Sequence, residues 1–172
     1  MPAGAPGPPP LDEATDLYAL DPSEFTAARN ALVKRLKEEG RKEEAALVAA
    51  LRRPTATAWA LDRVAREQPE LVDAAITAGD ALREATEAAL AGQQADLRTA
   101  GAEERAASDA VVAAAERYLD GGGPGARTKL TGTLHAAAVD DEVADALRRG
   151  VLATDEERAG FGLGAAFGDV AA

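Results

Sequence analysis

Cysteine is absent from the chain, which removes disulfides, thiolate nucleophiles and the soft ligands of structural zinc sites. There is one histidine, His135, so any metal centre would depend on carboxylates. The helix-borne Glu-x-x-His pattern of di-iron bundles does not occur. Aromatic residues make up only 3% of the chain: three Phe, two Tyr and one Trp. Large apolar anchors are therefore scarce, and burial at about 25 cal/mol per Å² returns less than in a Leu/Ile-rich domain. No uncharged apolar run approaches membrane length, so no spanning helix is expected. Residues 1–10 lack the basic and apolar regions of a signal peptide, and the cytoplasm is the expected location.

What is abundant is alanine, about a quarter of all residues, set among charged residues at helical spacing. The expected fold is an all-α antiparallel helical bundle with a long central helical hairpin. Residues 1–10, rich in Pro and Gly, read as a disordered or polyproline arm. The bundle occupies 11–159 with a hinge at 120–125, and 160–172 form a glycine-rich apolar tail. After a short helix near 11–18, Asp21-Pro22-Ser23-Glu24 signals a helix start with a capping box. Phe25, Ala28, Leu32 and Leu36 then share a stripe, and Gly40 is a stop.

A helix near 41–52 is expected to bury Leu47, Val48 and Leu51, and the next runs from Pro54 to about Glu67. The hairpin consists of helices over 69–90 and 94–119 that meet at Gly92, the second with Leu97, Val111, Ala115 and Tyr118 inward. Shorter helices are expected over 126–139 and 141–149.

Net charge is −11, which disfavours non-specific attraction to nucleic acid or anionic lipid. Residues 29–66 depart from that average, with ten basic residues against five acidic. Within this stretch Trp59, Asp62, Arg63 and Arg66 fall on one helix face, and Arg52 and Arg53 sit at its entry. Arg52, Arg53, Trp59, Arg63 and Arg66 are thus candidates for an anionic or flat ligand held by stacking and charge. The plainer alternative is a packed Trp covered by arginine stems, with Asp62 neutralising one of them.

No catalytic residue, metal site or cofactor is indicated. His135 has Thr131 one turn away and no triad-like partner pattern. The acidic groups Glu103-Glu104 and Asp155-Glu156-Glu157 read as solvated faces. Phe161, Leu163 and Phe167, spaced by glycines, form a candidate docking motif. They would engage another protein's groove, fold back over the bundle as a lid on its core, or mark where the sequence was cut from a longer chain.

Several segments resemble an uncharacterised all-helical family of high-GC bacteria: Tyr18-Ala19-Leu20 with Pro22, Glu24 and Phe25, then Arg52-Arg53-Pro54-Thr55 with Ala58-Trp59-Ala60. Leu134 to Val139 and Gly160-Phe161-Gly162 extend the likeness. The resemblance implies a helical fold and no known activity, cofactor or catalytic residue. The function expected from all of this is a non-enzymatic interaction or scaffold protein, self-associating or docking to a protein partner. The alternative is a nucleic-acid or nucleotide-associated module that uses the basic 29–66 region.

Overall fold

A computed structural model describes residues 12–120 and 124–155. The described residues form eight α-helices and no strand. They are α1 (Asp12–Thr15), α2 (Pro22–Glu38), α3 (Lys42–Ala49), α4 (Ala56–Glu67), α5 (Pro69–Leu90), α6 (Leu97–Glu116), α7 (Pro124–Ala137) and α8 (Asp141–Arg149), with a 3-10 turn at Asp16–Ala19. The arm at 1–10, residues 121–123 of the hinge, and the tail with Phe161, Leu163 and Phe167 lie outside the described residues.

Helix starts follow the local chemistry. Side chains of Asp21, Thr55, Asp96 and Asp140 accept hydrogen bonds from backbone amides in the first turns of α2, α4, α6 and α8. At Asp21 the partner is the Ser23 amide (2.8 Å), so the cap is a local Asp–Ser turn rather than the expected reciprocal box with Glu24. Gly40, Gly92 and Gly150 take positive φ where α2, α5 and α8 end.

Two apolar clusters fill the interior. Tyr18, Phe25, Leu36 and Val48 centre the first, between α1, α2 and α3. The second gathers Leu61, Val72, Val111, Leu130 and Leu147 from α4 to α8. The hairpin of α5 and α6 is present, but α4 is the most enclosed element: Thr57, Ala58, Ala60, Leu61, Asp62, Val64 and Ala65 are all buried. Small side chains at 58, 60 and 65 let neighbouring helices pack on several sides of it.

Two expected core positions face outward. Leu47 is 53% exposed because α3 turns Ala45 and Val48 inward instead, and Leu97 is 42% exposed because it begins α6 beyond the end of the core. Buried residues stop at Gly79 in α5 and resume at Gly101 in α6, so the outer half of the hairpin, residues 80–100, buries none.

Gly79 marks the closest approach of α5 to the segment after α7. A Cβ there would lie 2.7 Å from the Ala138 Cβ and 3.3 Å from its Cα. Gly79→Ala is expected to destabilise the protein by about 1 kcal/mol in urea titration. Overpacking of about 1–3 kcal/mol outweighs the roughly 1 kcal/mol gain in helix propensity.

Candidate functional site

Residues 151–155 follow α8 and its Gly150 cap and pass between the two clusters. Val151 and Ala153 join the first cluster and Leu152 the second, the period-2 alternation of a strand without a sheet. The Gly150 and Val151 amides donate back to the Leu147 and Ala146 carbonyls of α8, and α4 with its entry partners other backbone groups of the segment. The Leu152 amide donates to Asp62 Oδ1 (2.9 Å), Arg66 Nη2 donates to the Gly150 carbonyl (2.9 Å), and the Thr55 amide donates to the Ala153 carbonyl (3.1 Å). Arg66 Nη2 also reaches the Thr15 carbonyl (3.0 Å), tying the end of α1 to the same point. Farther along, Asp155 Oδ1 accepts from the hydroxyls of Thr55 (3.0 Å) and Thr57, and Oδ2 pairs with Lys129 Nζ (3.3 Å).

Asp62 and Arg66 are therefore interior residues and not a ligand-facing pair. Asp62 is fully buried, and its Oδ2 has no hydrogen-bond partner among the described residues. Burial pushes its carboxyl well above the ordinary aspartate range, opposed by the Leu152 amide and the Arg66 charge. The Tyr18 phenol is pushed up to about 12, chiefly by burial and also by Asp62.

The remaining members of the expected ligand cluster divide. Arg63 lies between two rings, its Cζ 5.9 Å from the Trp59 centroid and 5.3 Å from that of Tyr118. The rings meet edge to face at 6.3 Å and 77°. Glu67 closes the arrangement by pairing with Arg63 and accepting from the Tyr118 hydroxyl. Trp59 is half-buried, and its Nε1 is enclosed without a partner among the described residues. Trp59 and Tyr118, together with Arg53, Pro54, Thr57 and Leu119, line a surface groove of about 450 Å³. Arg52 and Arg53 are exposed. The basic stretch around them is largely matched: Arg35 and Arg41 both pair with Glu13 and Glu39, Arg41 also with Glu44, and Arg29 donates to the Leu51 carbonyl (2.8 Å).

Sequence reasoning missed a second constellation. His135 Nε2 lies 3.6 Å from Glu104 Oε1, which also accepts from the Ser108 hydroxyl (3.0 Å). Glu104 is buried, as is Ser108, so the solvated-face expectation fails there; it fails as well at Asp155, held by two threonines and Lys129. The signal in the sequence was the stripe Gly101, Glu104, Ser108, Val111 and Ala115, which puts Glu104 on the inward face of α6. Glu104 and His135 line a groove of about 390 Å³ with Gly79, Leu82, Ala138 and Val139. A hydroxyl–imidazole–acid relay needs the imidazole between the other two groups. Here the carboxylate holds that place, and the Ser108 proton is engaged by Glu104. No group of three or more potential metal-ligating side chains occurs among the described residues, and no described helix is long and apolar enough to cross a membrane.

The raised Asp62 carboxyl sets a pH dependence of definite sign. The folded chain holds this proton more tightly than the unfolded chain. Asp62 therefore lowers stability as pH rises above the ordinary aspartate range, and the loss disappears in acid. The stability of the unmodified chain relative to Asp62→Asn is expected to rise as pH falls from 8 to 5, with a slope of up to about 1.4 kcal/mol per unit. Denaturant titration of both proteins across that range measures it; a pH-independent difference would contradict the assignment. Comparison with protein-family models, with characterised proteins and with solved structures finds no match for this chain.

Proposed function

We propose that this protein is a non-enzymatic cytoplasmic helical interaction protein that self-associates through the outer half of its α5–α6 hairpin. The observation that carries this reading is the stretch from Asp80 to Ala100, in which no residue is buried although it lies within or joins the two longest helices. Leu90 at the end of α5 is 84% exposed and Leu97 at the start of α6 is 42% exposed. Helical stability in water comes mostly from packing an apolar face, and this arm buries no residue against the other described helices. A second copy related by a two-fold axis would present the same Leu and Ala surface and complete a four-helix layer. The arm carries charges of both signs, among them Arg83, Glu84, Glu87 and Arg98, which suits self-complementary pairing.

The non-enzymatic part of the proposal is supported by the order of Ser108, Glu104 and His135, which leaves no hydroxyl poised on an imidazole. The polyanion reading is the weaker alternative because Arg63 and Arg66 are taken up within the fold, and Lys34, Arg35 and Arg41 pair with carboxylates. Lys37, Lys42, Arg52 and Arg53, exposed and in no ion pair among the described residues, favour it, and an unchanged Trp59 emission on titration with DNA, RNA or nucleotides at low salt would remove it.

Sedimentation velocity over a concentration series is expected to show a reversible dimer. The double variant Leu90→Glu with Leu97→Glu should weaken it at least about tenfold while circular dichroism stays helical. A monomer at every concentration, or a double variant that sediments like the unmodified chain, would rule out the arm as the contact.

A further inference from the structure

The groove between α5 and the end of α7 opens over a buried carboxylate. Glu104 lies on the inward face of α6, its side chain only 9% exposed, and lines this groove of about 390 Å³. Ser108 donates to its Oε1 (3.0 Å), and Oε2 has no hydrogen bond among the described residues. His135 Nε2, 3.6 Å from Oε1, stands beyond hydrogen-bond distance. A carboxylate can accept about four hydrogen bonds, and burying one lowers stability until they are supplied. Glu104 therefore holds unused acceptor capacity in a cavity large enough for a small molecule.

The polar groups around it are mostly acceptors as well. Glu87 lines the groove and enters no ion pair among the described residues. Thr86 donates its hydroxyl proton to the Leu82 carbonyl (2.7 Å), which leaves its oxygen free to accept. The His135 ring offers one donor and one acceptor when neutral. Arg83, the cation of the lining, is engaged by Asp80 (3.0 Å). Leu82, Ala138 and Val139 add apolar surface, and Val139 is 52% exposed. The complement of such a site is a molecule that brings donors, positive charge and an apolar body. An anion would meet Glu87 and Glu104 as like charges, and a plain hydrocarbon would leave Glu104 unpaired.

We infer that this groove binds a small alkylammonium ligand, with the ammonium on Glu104 and the alkyl chain along Leu82, Ala138 and Val139. An ammonium carries three donors and no acceptor, and its hydrogen bonds to a carboxylate are charge-assisted. A guanidinium favours two carboxylate oxygens side by side, and Ser108 already occupies Oε1; the compact ammonium needs only Oε2. The groove shares α5 residues with the hairpin arm, but the inference does not depend on self-association through that arm.

His135 is the only histidine, so its ring-proton signals in solution NMR report on the groove. Titration of the full chain with hexylammonium chloride is expected to move these signals in a saturable way. Methylammonium, which lacks the apolar contact, should bind at least about tenfold more weakly. Sodium hexanoate and hexanol at the same concentrations should leave the signals in place. Glu104→Gln keeps the shape and an acceptor for Ser108 but removes the charge, and it should weaken hexylammonium binding at least about tenfold while circular dichroism stays helical. Val139→Ser, at an exposed position, should weaken it severalfold and serves as the test if Glu104→Gln does not fold. The Leu90→Glu, Leu97→Glu variant should bind like the unmodified chain. The inference is wrong if hexylammonium gives no saturable shift, if hexanoate or hexanol moves the signals as far, or if a folded Glu104→Gln binds unchanged. Loss of binding in the Leu90→Glu, Leu97→Glu variant would overturn it too, by placing the amine at a contact between copies.

Discussion

A non-helical backbone running between two apolar clusters is tolerable only if its amides and carbonyls find partners away from water. That requirement governs residues 150–153; carbonyls of α8 accept the first two amides, and α4 with its entry supplies the Asp62 carboxyl, the Arg66 guanidinium and the Thr55 amide. Each such group left unpaired would cost about 1–3 kcal/mol, comparable to a large share of a small domain's stability. Arg66 ties the end of α1 to the end of α8, so the two clusters share one clasp. Gly150 completes it: its φ of +64° ends α8, and a Cβ there would lie 3.1 Å from Arg66 Nε and from the Asp62 carbonyl.

Arg66 and Arg63 illustrate how a helix of mixed composition distributes charge. Arg66 spends its guanidinium on backbone carbonyls inside the bundle, whereas Arg63 is held between two rings and Glu67 near the surface. The arginine-rich face of α4 thus contributes mainly to cohesion. What stays at the surface is a groove with aromatic walls, lined also by Arg53, Asp21 and Asp120. Elsewhere, alanine sets the character of the molecule. It packs helices closely around α4 and leaves the hairpin arm with little area of its own to bury.

Much of the helix order was legible along the chain because its punctuation is local. Pro69, Gly40, Gly92, Asp96 and Asp140 act within one turn of their own positions, and the observed starts and stops follow them. Burial was less legible where it depended on what lies opposite. Leu47 and Leu97 have apolar side chains at helical spacing, yet no element covers them. Glu104 and Asp155 look like solvated charges, yet Ser108 with His135 partners the first, and two threonines with Lys129 partner the second. Partners such as Asp155 and Thr57 lie too far apart in sequence for any local pattern to join them.

The sequence by itself determined that this chain is helical, where most helices begin and end, and that thiol and His-cluster chemistry are excluded, because propensity, capping and composition need no neighbours. Only the tertiary structure decided which charges are interior, that Trp59 meets Tyr118 across a groove, that His135 faces Glu104, and that the hairpin arm extends past the core. Those outcomes depend on which helices come to lie side by side, a property of packing between distant segments that no single stretch of residues carries.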